Sequence, residues 1–281
     1  MQDKMMLRNC PVCGRNNQSE ERMEKISRDH WNLKTCPECS FVYLENPPLT
    51  ENLEEEFAWE KTFQQETERR RETTPIKYRV SNLVKTTRSR YFRRQKLRKL
   101  IKQYSDPGNV LDIGCGWGGT LMNNLPDGYV PFGLEVSKEL AEQATQAFSP
   151  LGGSVVFGDA QDAFSQLDED SFVAVTMIAI LEHVTDPISM LHESCRVLQP
   201  GAVAIVKVPN FAAINRRIGG AEWCGLRFPD HVNYFTPGSL VECGRRAGLN
   251  VVRFGFLDRQ PTSDNMWCVF QKPQRSIAAA A

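Results

Sequence analysis

From residue 110 onward, short apolar runs alternate with longer amphipathic stretches. Residues 110–113, 130–134, 155–157, 172–178 and 203–208 are apolar almost throughout and too short for stable helices. That pattern predicts strands buried on both faces. The stretches that begin at Ser137, Ala160 and Pro187 carry helical spacing, and Ser137 stands where an N-cap belongs. Strand and helix in alternation predict a parallel sheet with helices on both faces. Residues 237–247 predict a last helix stopped by Gly248, and residues 250–256 and 267–271 two further strands.

The region before residue 110 follows a different pattern. Residues 10–46 are rich in Cys, Asn and turn formers, and Pro47-Pro48 ends that zone. Thr50 can open a helix, Thr73-Thr74-Pro75 interrupts the pattern, and Leu97, Leu100, Ile101 and Tyr104 recur at helical spacing. Ser105-Asp-Pro-Gly108 is a turn. The expected organisation is therefore a small cysteine unit (1–48), a helical linker or cap (49–105), an α/β domain (106–272) and a disordered tail (273–281).

At 281 residues the chain can bury one large core and carry a small accessory unit. No apolar run approaches the ~18–20 residues of a membrane span, and the N-terminus is too polar for a secretory signal. Nine cysteines, an odd number, exclude a complete disulfide framework and point to a reducing cytoplasm. Net charge is zero but polarised along the chain: residues 45–68 hold eight Glu and one Lys, and residues 69–102 hold fourteen Lys or Arg and one Glu. These runs read either as two solvated faces that compensate each other or as a basic surface for an anionic acceptor.

The candidate chemistry begins where the run Val110-Leu-Asp112-Ile reaches Gly114, Gly116, Gly118 and Gly119. Glycines there let the backbone turn tightly and lie against a ligand, with a helix N-terminus facing it. Glu135 ends the next run, where a carboxylate can accept from both hydroxyls of a ribose. Gly158-Asp159-Ala160 ends the third and offers an acceptor for an adenine amino group.

With these residues the chain resembles the class I S-adenosylmethionine-dependent methyltransferases over roughly residues 109–272. Residues 110–119, 133–135 and 158–160 look like that family's first three motifs. Leu181-Glu-His-Val-Thr-Asp-Pro187 is similar to its segment after the fourth strand, and Arg196-Val-Leu-Gln-Pro-Gly201 to the turn before the fifth. The resemblance implies a seven-stranded, mostly parallel Rossmann-like sheet closed by an antiparallel strand pair. It also implies S-adenosylmethionine bound through Asp112, Gly114, Gly116, Glu135, Asp159 and Ala160. Two departures, Val173 and Ile178-Ala179, are expected to alter the wall beside the methyl group.

Cys10-Pro-Val-Cys13 and Cys36-Pro-Glu-Cys39 are paired knuckles. Two residues between thiolates let both sulfurs reach one ion, and two such turns complete a tetrahedral site, with Gly14 and Ser40 fitting the tight turns. Four protein ligands leave no open position, so a zinc ion here is structural. The unit resembles the zinc ribbons that precede some bacterial methyltransferases acting on sugars and other metabolites. Cys115 fits inside the glycine loop, and Cys195, Cys224, Cys243 and Cys268 read as packing residues.

For catalysis, a hydroxyl acceptor needs a base. His231 lies among Asp230, Asn233, Tyr234 and aromatics, the composition of a small-molecule pocket, and is the first candidate. His183, after the fourth strand, is the second. Either can instead be structural, as His192 on a helix surface and His30 near the zinc are expected to be. The leading expectation is methyl transfer to a small molecule or sugar. An RNA or protein methyltransferase gripping its substrate through the ribbon and basic stretch is the alternative, weakened by a pI near 6.9. A nicotinamide-dependent oxidoreductase leaves residues 158–160 unexplained, and a non-catalytic binding protein stays open. Acceptor atom and oligomeric state are not legible.

Overall fold

The computed structural model describes residues 5–48 and 95–275. Residues 49–94 of the expected helical linker, most of the basic stretch and residues 276–281 lie outside the described residues, while the end of that linker, with Leu97, Leu100 and Ile101, is helical as its spacing predicts. Two short strands, β1 (Leu33–Thr35) and β2 (Val42–Leu44), come first, followed by helix α1 (Lys96–Tyr104). Then come β3 (Asn109–Ile113), α2 (Gly119–Met122), β4 (Val130–Glu135), α3 (Lys138–Phe148) and β5 (Ser154–Phe157). They are followed by α4 (Ala160–Ser165), β6 (Phe172–Ile178), α5 (Pro187–Val197), β7 (Leu198–Pro209) and α6 (Ile214–Gly219). β8 (Asn233–Tyr234), α7 (Pro237–Arg246), β9 (Asn250–Arg253) and β10 (Asn265–Gln271) complete the order.

The main sheet has seven strands in the order β5-β4-β3-β6-β7-β10-β9. The first five are parallel, and β10 runs antiparallel to both β7 and β9, as the sequence implied. The strands read as continuous apolar runs because both sheet faces are covered. One face packs Leu111, Val175 and Ala204 against α4, α5 and α7, through Phe164, Leu191 and Leu240. The other packs Val110, Ala174 and Ile205 against α1 and α3, through Leu97, Leu100, Ile101, Ala144 and Phe148.

Local signals place the helices. Ser137 Oγ accepts from the Leu140 amide at 3.4 Å, so it caps α3 as its position suggested. Thr236 and Ser239 form a reciprocal capping box at the start of α7, and Gly248, at φ 79°, follows its end. The expected strand over 250–256 stops at Arg253, because Asp258 accepts from the Gly255 amide and from Arg253 and folds the chain into a turn. Among the described residues no helix is long and apolar enough to cross a membrane.

The cysteine unit does not stand apart. β1 and β2 form an antiparallel pair, and β8 adds as a third strand with Val42 opposite Tyr234. Phe41 packs edge-on against Phe235, ring centroids 5.4 Å apart, and Cys10, Cys36, Phe41 and Tyr43 join the same buried cluster as Leu240 and Cys243. One hydrophobic core therefore runs from the knuckles into the main sheet.

Candidate functional site

The carboxyl ends of β3, β4, β5 and β6 meet along one edge of the sheet, where open α/β folds bind ligands. At that edge β3 leads into a turn in which Gly114, Gly116 and Gly118 all have positive φ, the left-handed region that favours glycine. A Cβ on Gly114 would lie 2.2 Å from Ile180 Cδ1, so that position is closed by the protein itself. Beside Gly116 and Gly158, by contrast, nothing lies within 4 Å of where a Cβ would stand. These are the places where a ligand can lie against bare backbone. α2, after the turn, is a single turn of helix.

Glu135, 7% exposed, reaches back across the turn. Its carboxylate accepts from the Gly116 amide at 2.8 Å and from the Ser137 amide at 2.9 Å. A carboxylate has about four acceptor positions, so two remain for a ribose diol. Asp112 is fully buried and accepts from the Thr176 hydroxyl; burial pushes its carboxyl up to about 7, against that hydrogen bond. Its part is to pin β3 to β6 beneath the loop. Asp159 Oδ1 accepts from the Asp162 amide at 3.0 Å and so caps α4, beside Ala160. Of the six residues expected to bind the cofactor, Gly116, Glu135, Asp159 and Ala160 lie along this edge, while Asp112 and Gly114 sit beneath it, turned toward Thr176 and Ile180.

Val173 does not belong there. It sits near the start of β6, packed over Gly108, roughly 15 Å of strand from the carboxyl end. The expectation that it shapes the wall beside the methyl group is overturned, because it counted the family pattern without counting strand direction. Ala179 is at the correct end and has φ 63°, an unusual conformation for a residue with a side chain.

After β6, Glu182, His183 and His231 come together, one donor atom from each lying within 4.8 Å of the others. His183 Nδ1 donates to the Asp230 carbonyl at 3.0 Å and His231 Nδ1 to the Gly225 carbonyl at 2.8 Å. A carbonyl only accepts, so both rings hold their proton on Nδ1 and present Nε2 as the basic nitrogen. The rings meet edge to face with centroids 4.8 Å apart. Burial and the Arg227 charge push His183 down to about 4, and burial pushes Glu182 up to about 8. Glu182 Oε2 is buried with no hydrogen-bond partner among the described residues. Sequence reasoning quoted Glu182 without singling it out; an acid beside a histidine at a strand end was the available signal.

The other polar groups expected to line an acceptor pocket are turned toward the protein. Asn233 Nδ2 donates to the Leu181 and Val184 carbonyls at 2.9 and 2.7 Å. Asp230 pairs with Arg227 at 3.3 Å, and Tyr234 is buried. His192 is exposed on α5, as expected. Cys243 and Cys268 are buried packing residues, but Cys224 is exposed and is not one. A shallow depression of about 500 Å³ at the opposite sheet edge, beside Arg196 and Lys272, has both cations already bonded to the chain.

At the knuckles, Cys10 and Cys39 Sγ are 3.5 Å apart, as are Cys13 and Cys36. All four sulfurs lie within 4.8 Å of one another. Sulfurs around zinc at ~2.3 Å would be nearly 4 Å apart, so the set fits a tetrahedral ion. Burial raises the Cys36 thiol, but the Cys39 and Glu38 amides and the Asn17 side chain overcome it and hold it at about 6. Gly14 and Ser40, each directly after a knuckle, have φ 77° and 58°.

Residues 88–253 match the family described as a methyltransferase domain. The ubiquinone biosynthesis O-methyltransferase of Cupriavidus pinatubonensis is 28% identical over 162 residues, covering 55% of this chain and 65% of that protein. Its counterpart from Aeromonas salmonicida is 32% identical over 151 residues, covering 50% and 63%. The chain thus spans less than two thirds of these relatives' length. Among solved structures, the CcbJ methyltransferase of Streptomyces caelestis is 18% identical with a TM-score of 0.51, covering 64% of this chain and 89% of that one. An S-adenosylmethionine-dependent methyltransferase from Mesorhizobium loti is 16% identical with a TM-score of 0.50, covering 63% and 96%. At those identities they show the fold alone. The match over residues 88–253, the strand order and the Glu135-bridged glycine turn agree: the chain belongs to the class I S-adenosylmethionine-dependent methyltransferases.

Proposed function

We propose that this protein transfers a methyl group from S-adenosylmethionine to a hydroxyl of a small molecule, with a structural zinc ion held by Cys10, Cys13, Cys36 and Cys39. The observation that carries the reading is the placement of the Glu135-bridged glycine turn and the His183–His231 pair on the same sheet edge. The O-methyltransferase names of the curated relatives support oxygen as the acceptor atom.

When bound, S-adenosylmethionine supplies a methyl carbon on a sulfonium, open to in-line displacement by the acceptor oxygen. Glu135 holds the ribose diol, the bare backbone at Gly116 and Gly158 receives the rest of the nucleoside, and Asp159 faces the adenine amino group. The imidazole pair takes the hydroxyl proton on Nε2 as the oxygen attacks. The pair acts as one unit because the rings touch, and His183 is its partly exposed member. His183 is unprotonated at neutral pH, but burial and the Arg227 charge, which push it down to about 4, make it the weaker base, so proton uptake depends on the acceptor and His231 being in place beside it.

The test is to identify the ligands carried by the purified protein by mass spectrometry, then to incubate it with labelled S-adenosylmethionine and a panel of phenols, catechols and hydroxylated sugars. Label transferred to oxygen supports the reading. Label transferred only to nitrogen or carbon, or only to RNA or protein, overturns it.

A further inference from the structure

Arg8 lies two residues before the first knuckle and is 8% exposed. Its guanidinium rests over the Tyr43 ring, 5.4 Å from the centroid. Nε donates to the Leu44 carbonyl at 2.8 Å and Nη1 to the Thr185 carbonyl at 2.7 Å. Nη2 donates to the Val232 carbonyl and, at 3.1 Å, to Asn233 Oδ1. One side chain therefore joins β2, the loop after β6 and the β8 segment. Among the described residues no carboxylate forms a salt bridge with it. It stays charged at neutral pH, although burial pushes it down to about 10. A buried cation bonded only to carbonyls, with the Asp186 charge acting through space, is costly unless its geometry is kept.

The loop that carries His183 is held almost entirely from this side. The Glu182 carbonyl accepts from the Val232 and Asn233 amides at 2.8 and 3.1 Å, and Asn233 Nδ2, whose Oδ1 Arg8 fixes, donates to Leu181 and Val184. With Thr185 on Arg8 itself, four of the five backbone carbonyls from 181 to 185 answer to Arg8 and its neighbours. The backbone on either side of Arg8 is tied into the ribbon: its amide bonds Glu45 and the Cys10 amide bonds Arg15.

We infer that Arg8 is a positioning residue for transfer: its guanidinium ties the four-cysteine ribbon to the loop carrying His183, so that metal occupancy of the ribbon sets the order of that loop and leaves the glycine turn untouched. The inference rests on the reading that His183 belongs to the transfer site. A lysine cannot replace the fork, because a single ammonium cannot hold Leu44, Thr185 and Val232 in their separate directions.

The experiment is amide hydrogen exchange on the full chain with S-adenosylmethionine present, comparing native protein, native protein stripped of metal by a chelator, and Arg8→Lys with its zinc content measured. Losing charge-assisted bonds should raise exchange at the Val232 and Asn233 amides, which donate to the Glu182 carbonyl, by about 10–100-fold in both altered samples. Residues 110–119 should be unchanged, and the His183 ring resonance should shift in both. Re-adding zinc should restore the stripped protein only. Native protection of the Val232 and Asn233 amides in zinc-loaded Arg8→Lys overturns the inference, and so does loosening spread evenly over the main sheet. Failure to bind S-adenosylmethionine in the native protein would instead sink the functional reading, which separates the two.

Discussion

The two sides of the site are built in opposite ways. The cofactor side is the more local: the short glycine turn between β3 and α2, one carboxylate at the end of β4 and Asp159 after β5 account for it, and its longest link, Asp112 to Thr176, spans 64 positions. The acceptor side is assembled from far-apart pieces, with Arg8 reaching Thr185 across 177 positions and Val232 across 224. A local site tolerates loosening elsewhere in the chain. A composite site fails when any one contributor is lost.

The largest expected break comes from the knuckles. Cys36→Ser/Cys39→Ser should lose its zinc and, with it, the order of β1, β2 and β8, lowering the thermal midpoint by more than any single change below, since structural zinc supplies on the order of 10 kcal/mol in small domains. Elemental analysis and calorimetry check this. S-adenosylmethionine affinity falling in step with stability would erase the contrast between the two sides.

Next are the imidazoles. Gln for His183 or for His231 keeps polarity but cannot take a proton, so turnover should fall by about 10²–10⁴-fold while cofactor affinity holds. Comparing the two variants shows whether the rings work as a unit. Turnover near the native rate in both would remove the base from the acceptor side.

Glu135→Ala probes the other side. Losing its bonds to the ribose and to the Gly116 amide should weaken S-adenosylmethionine by roughly 1.5–3 kcal/mol, measured by titration calorimetry, with exchange at the Val232 and Asn233 amides unaltered.

A pH titration separates the sides more finely. Because Glu182 sits at about 8 in the fold against an ordinary 4.5, the folded state holds its proton more tightly. That contribution is whole below 4.5 and is lost as pH rises through about 8. Glu182→Gln should flatten the denaturant midpoint against pH in that window, and an unchanged slope would show that the titration belongs elsewhere.

The smallest effect is at Ser40, whose φ of 58° disfavours a side chain. Ser40→Gly should raise stability by up to about 1 kcal/mol, and a loss would mean the serine side chain matters more than its backbone.

Legibility in the sequence follows the same division. Residues 110–119, the Ser137 cap and the β6 run of 172–178 declare themselves because adjacent residues determine them. β8 is two residues long and is a strand only because Val42 and Tyr43 lie beside it. Arg8 gives no periodic or motif signal at all, and its meaning exists only after Leu44, Thr185 and Val232 converge on it. Val173 was misplaced because a motif was carried over without its position along the strand.

The pairing of β2 with β8 also sets a timetable for synthesis. The knuckles emerge from the ribosome first, but the third strand of their sheet follows roughly 190 residues later, which at 5–20 residues per second is on the order of ten to forty seconds. Throughout that interval the edge of β2 that β8 will pair with is open. The nascent ribbon is therefore a stretch of chain in need of an escort, and metal captured by the four thiols during that wait would be the earliest means of keeping it from pairing with the wrong strand.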